Sequence, residues 1–117
     1  MGANDPQGLR EFTAWGTVDA DGKTPIDKGS GNWSSVKLSE GRYLITVDGS
    51  FGGRVAVVAS GYLVDPDPKP GVAPKSLDNI YSVHVHNKDA FEVYSLDIKD
   101  RELSSEAFSF VAIWRLE

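Results

Sequence analysis

The sequence predicts an all-β protein, a single antiparallel β-sandwich or jelly roll of about 7–10 strands. Three observations lead there. No stretch sustains a 3.6-residue apolar period, whereas short runs rich in Val, Ile, Phe, Tyr and Trp alternate with a period of two. Clusters of Gly, Pro, Asn and Asp separate those runs, as turns require. The last run, residues 107–116, is apolar on both faces, with Phe108, Phe110, Ala112, Trp114 and Leu116 on one and Ala107, Val111 and Ile113 on the other. Such a strand needs cover on both sides. It is expected mid-sheet, with the core on one face and a second layer, such as another subunit, on the other.

Taken in order, residues 1–11 are rich in Gly, Asn, Asp, Pro and Gln and read as a flexible lead-in or linker; residues 12–117 form one sandwich domain. Residues 12–18 make a first strand, with Phe12, Ala14 and Val18 on one face and Thr13, Trp15 and Thr17 on the other. Residues 19–32 carry turn chemistry: Asp21-Gly22, Pro25 and Gly29-Ser30-Gly31. Residues 33–38 and 42–47 pair as a hairpin around Glu40-Gly41, with Tyr43, Ile45 and Val47 facing inward. After a glycine-rich turn, residues 54–60 give a Val-rich strand that is apolar on both faces. Residues 63–77 hold Pro66, Pro68, Pro70 and Pro74, each without a backbone donor, and form the longest loop. Residues 80–87 and 91–98 make a second strand pair, and a polar connector at 100–106 leads to the final strand.

Composition excludes several function classes. A net charge of −5 without any Lys/Arg cluster disfavours nucleic acid and anionic membrane surfaces as partners. The absence of cysteine removes disulfides, zinc–thiolate sites and thiol nucleophiles. The longest strongly apolar run, Val55 to Ala59, is far short of the ~20 residues of a membrane-spanning helix, so no membrane insertion is expected.

Few residues offer chemistry. His84 and His86 lie two apart on a strand and project from one face, a spacing that permits bidentate metal binding. With Glu92 the segment resembles the His-x-His…Glu element of cupins, but no third histidine remains in the chain. Solvent-facing strand histidines are the simpler reading, so no metal or other cofactor is expected, with His84 and His86 the only candidates. Asp19 and Asp21 fit an Asp-Gly turn better than a calcium loop, because the further oxygen ligands and terminal Glu do not follow. Asp65 and Asp67 alternate with prolines and either hold calcium or keep the loop soluble. No serine sits in a Gly-x-Ser-x-Gly elbow, and Gly49, Gly52 and Gly53 lack the lysine and helix of a phosphate loop. No acid pair is marked by an apolar pocket that would raise one pKa, so no catalytic residue is expected and the protein is not read as an enzyme. Trp15, Trp33, Tyr62 and Tyr81 suit either core packing or stacking on sugar rings.

The order of four motifs resembles a known group. Residues 14–19 (Ala-Trp-Gly-Thr-Val-Asp), 29–33 (Gly-Ser-Gly-Asn-Trp), 41–47 (Gly-Arg-Tyr-Leu-Ile-Thr-Val) and 108–113 (Phe-Ser-Phe-Val-Ala-Ile) are similar in layout to bacterial and phage tail-fibre-type C-terminal head domains. More distantly they resemble the trimeric C1q/TNF-like jelly rolls. The resemblance implies a non-catalytic, homotrimeric head module that ends a fibre-like or secreted multidomain protein, in an extracellular or virion-like setting. It would bind a cell-surface glycan or protein through its loops, with Trp33, Tyr62, Asp65, Asp67 and Lys69 as ligand-contacting candidates. It also implies that the first and last strands lie side by side at the subunit interface, with Trp15, Val111 and Ile113 buried there. A lectin-like monomer or dimer is the alternative, and a degenerate cupin-type metal enzyme a minor one.

Overall fold

In the computed structural model, residues 10–23, 25–52, 54–62, 69–71 and 79–116 are described, and they contain nine strands and no helix. The strands are β1 (Arg10–Val18), β2 (Pro25–Asp27), β3 (Trp33–Ser39), β4 (Arg42–Val47), β5 (Ala56–Gly61), β6 (Asn79–Val85), β7 (Ala90–Asp97), β8 (Glu102–Leu103) and β9 (Phe108–Leu116). They form two antiparallel sheets, one ordered β2-β1-β9-β5 and the other β3-β4-β7-β6 with β8 added on β7. This is the expected all-β sandwich.

Strand β9 lies inside its sheet, as its two apolar faces require. On one side it pairs with β1 from Arg10↔Leu116 to Val18↔Phe108, and on the other with β5 from Ala56↔Ile113 to Gly61↔Phe108. The first strand begins at Arg10 rather than Phe12, so the lead-in is shorter than residues 1–11, because the backbones of Arg10 and Glu11 continue the ladder with Leu116 and Arg115. Segments read as a loop and a connector each contribute a short strand. Thr17 and Val18 pair with Asp27 and Pro25 in β2, and Leu96 and Asp97 pair with Leu103 and Glu102 in β8.

The core fills the space between the sheets. Ala14, Val18, Phe108, Phe110, Ala112 and Trp114 from one sheet meet Trp33, Tyr43, Ile45, Val47, Phe91 and Val93 from the other. Edge-to-face ring contacts set the fit: Phe110 meets Trp33 with centroids 4.9 Å apart, and Phe51 meets Trp114 at 5.4 Å. Phe51 comes from the turn after β4 and is nonetheless fully buried in the core.

Trp33 is a core residue, not a ligand platform. It is 3% exposed, and its indole N–H donates to the carbonyls of Trp15 and Lys28, both at 2.9 Å. A polar tip satisfied in this way lets the ring be buried without an orphan donor. Lys28 closes the site from outside, its ammonium lying 4.4 Å from the Trp33 ring centre and donating to the Trp33 carbonyl. This contact also blunts part of the exposed edge of β3.

Candidate functional site

The surface with most to explain is the outer face of the β2-β1-β9-β5 sheet. Inner and outer residues alternate along each strand, so burying Phe108, Phe110, Ala112 and Trp114 forces Val111 and Ile113 outward. The same alternation on β1 turns Trp15 outward, and on β5 it turns Val58 outward. Register then gathers them. Trp15, Val111 and Val58 form one cross-strand row, and Thr13, Ile113 and Ala56 form the next. Their exposures are those of an uncovered face: 45% for Trp15, 44% for Val111, 42% for Ile113 and 69% for Val58.

Polar residues bound this patch at both ends. At one end Thr17 Oγ1 and Ser109 Oγ are 2.8 Å apart, next to Ser60; at the other, the Arg115 guanidinium donates to Glu11 at 3.4 Å. Backbone contacts hold Trp15 in place, its N–H donating to Ser30 Oγ at 2.8 Å and its carbonyl accepting from the Ser30 N–H at 3.0 Å. Gly29 passes so close that a Cβ there would fall 2.6 Å from the Trp15 ring, which is why glycine stands at that position. An open cleft of about 440 Å³ adjoins the patch through Ile113, and Glu11, Arg54, Ala56 and Arg115 line it.

The structure thus brings together the three residues expected at an interface, Trp15, Val111 and Ile113, and adds Val58. The signal for Val58 was present in the apolar character of both faces of residues 54–60. Sequence could not show which strand β5 would join.

The expected ligand-contacting residues are not brought together among the described residues. Trp33 is in the core, Tyr62 is half-buried with its N–H bonded to the Ala107 carbonyl at 3.2 Å, and Lys69 is exposed. Asp65 and Asp67 lie outside the described residues. Tyr81 packs its ring on Phe108 and donates its hydroxyl to the Ala107 carbonyl at 3.0 Å, a core role. The Asp19–Lys23 segment is a hydrogen-bonded turn, with Gly22 N–H donating to the Asp19 carbonyl and Lys23 N–H to Asp21 Oδ1, each at 2.9 Å.

A second cluster occupies the outer face of the β3-β4-β7-β6 sheet. Glu92 stands opposite Leu44 of β4 and His84 of β6, and its carboxylate is fully buried although the sheet face is outward. Two long side chains cover it. Arg42 donates through Nε to Glu92 Oε2 at 2.5 Å and through Nη2 to Oε1 at 3.1 Å, and His86 Nε2 is 2.8 Å from Oε1. The hydrogen bonds from Arg42 hold the Glu92 carboxyl below its ordinary pKa, with burial opposing and the His86 hydrogen bond assisting. The Arg42 guanidinium also packs 5.5 Å from the Tyr94 ring centre. Among the described residues no group of three or more His, Cys, Asp or Glu side chains is arranged to hold a metal ion.

Comparison with known proteins found no matching protein family, no matching curated protein and no matching solved structure.

Proposed function

We infer that this chain is a non-catalytic head module that associates with copies of itself through the outer face of the β2-β1-β9-β5 sheet. The observation that carries this reading is the exposed row of Trp15, Val111 and Val58, flanked by Ile113 and rimmed by Ser60, Ser109, Glu11 and Arg115. An apolar centre inside a polar rim is the anatomy of a protein interface. The core is already complete without these side chains, so folding of one chain does not explain them.

A second copy is the favoured occupant. Covering this face removes roughly 500–800 Å² per protomer from water, which falls within the range of stable interfaces. The rim carries charges of both signs, so copies can approach without a single-sign repulsion. The threefold number comes from the resemblance to trimeric head domains, in which paired first and last strands face the axis; the full-length pairing of β1 with β9 supports it. In that role the module ends a fibre-like or secreted multidomain protein and presents its loops to a surface ligand.

Light scattering behind a sizing column tests the assembly. At tens of micromolar protein and moderate salt, the expected mass is that of three chains. Ile113→Asp places a carboxylate on the shared face and is expected to yield single chains with unchanged circular dichroism, since desolvating one unpaired charge per subunit opposes association. A one-chain mass for the unaltered protein at that concentration would overturn the reading.

A further inference from the structure

We propose that His84 and His86 form a two-histidine chelate for a divalent transition-metal ion such as Zn²⁺, and that Glu92 is its positioning residue. The site lies on the outer face of the β3-β4-β7-β6 sheet, away from the inferred self-association face, and does not depend on it. Three features of the structure converge on it.

The first is distance. With metal–nitrogen bonds of about 2.0–2.1 Å, an ion sits ~3.2 Å from the centre of each ligating imidazole, and two rings at a tetrahedral angle have centres ~5.2 Å apart. The His84 and His86 ring centres are 5.5 Å apart. The two rings are thus close enough to share one ion.

The second is proton placement. Glu92 is held as a carboxylate by Arg42, so its Oε1 can only accept, and the His86 Nε2 at 2.8 Å must therefore carry the proton. That leaves Nδ1 of a neutral His86 with the free lone pair. A carboxylate behind a histidine is the usual device for fixing the tautomer and ring orientation of a metal ligand. Because Arg42 already neutralises Glu92, the carboxylate orients the ligand and does not bind the ion.

The third is availability. His84 is exposed, its ring makes no hydrogen bond among the described residues, and the His86 side chain is 38% exposed. Two protein ligands leave the remaining positions to water. The site is therefore open, and an ion held there can accept a further ligand from solution or from a partner molecule.

The test is isothermal titration of the untagged protein with ZnCl₂ near neutral pH. One ion per chain is expected, with affinity at least tenfold weaker in His84→Ala and in His86→Ala, both exposed positions whose substitution spares the core. Glu92→Gln, where its far-ultraviolet spectrum shows a folded protein, is expected to lose about 10–100-fold in affinity with both ligands still present. Nitrogen-15 spectra of the unaltered protein supply a readout that needs no variant, with the His86 proton expected on Nε2. The proposal is overturned by absence of binding at millimolar Zn²⁺, by equal uptake in the double variant lacking both histidines, or by a His86 proton on Nδ1.

Discussion

A buried carboxylate on an outward-facing sheet surface is costly unless its charge is met, and at Glu92 it is met chiefly by Arg42. Removing that partner in Arg42→Leu is expected to lower the denaturant midpoint at pH 7, though by less than for a fully enclosed pair because the Arg42 side chain is itself 38% exposed. The pH dependence follows from the lowered pKa of Glu92. Its contribution is fully present above the ordinary carboxyl value of 4.5 and is lost as pH falls through the lower value of the folded state. Denaturant melts between pH 7 and pH 3 are therefore expected to show a falling midpoint in the unaltered protein and a flatter profile in Arg42→Leu. The sequence made only part of this cluster legible. His84, His86 and Glu92 belong to one hairpin, and strand alternation alone assigns both histidines to one face. Arg42 is 50 residues from Glu92, and no local pattern joins them. Trp33 was ambiguous for a related reason: core packing is the simpler fate of an indole, but beside a glycine-rich turn it also suits a binding platform until the carbonyls of Trp15 and Lys28 are seen to satisfy its N–H.

Among the elements, the longer strands were legible because alternation over several residues is a strong signal, although in β3 the alternation turns Val36 and Leu38 outward and leaves Ser35 and Lys37 beside Trp33 on the inner face. β2 and β8 were not, since three and two residues respectively carry no measurable period and are held by backbone pairing to β1 and β7. Close approach between elements gives a sharper prediction than propensity does. Gly16 on β1 faces the core, and a Cβ there would lie 2.2 Å from a Trp33 ring atom and 2.8 Å from the Asp27 carbonyl oxygen. Both neighbours are fixed, one by its two hydrogen bonds and the other by being backbone. Gly16→Ala is expected to cost about 1–3 kcal/mol through overpacking, read as a lower midpoint in thermal unfolding. Gly41 is constrained differently. It has φ +71°, and a Cβ would come within 2.6 Å of the Ser95 carbonyl oxygen, so the turn between β3 and β4 fails with any side chain there.

For the molecule as a whole, the inferred assembly has an optical consequence. Trp33 and Trp114 are buried in each chain, whereas Trp15 is exposed and lies on the face inferred to be shared. Dilution through the association range is expected to shift the emission maximum to longer wavelength, and Trp15→Phe is expected to abolish that shift. The two-faced character of the final strand was readable from residues 107–116 alone. The row it completes was not, because Trp15 and Val58 reach Val111 only through pairings distant in the chain. That same central position of β9 governs how the protein comes into being. Of the nine strands it is synthesised last, yet β1 and β5 touch each other in the sheet only through it. A chain still emerging from the ribosome must therefore carry β1 and β5 without their shared partner, and the sheet cannot close until β9 is free. Closure of that sheet is then a late step, in the milliseconds-to-seconds range expected of non-local β-topologies, and until it occurs the apolar inner faces of β1 and β5 are open to aggregation.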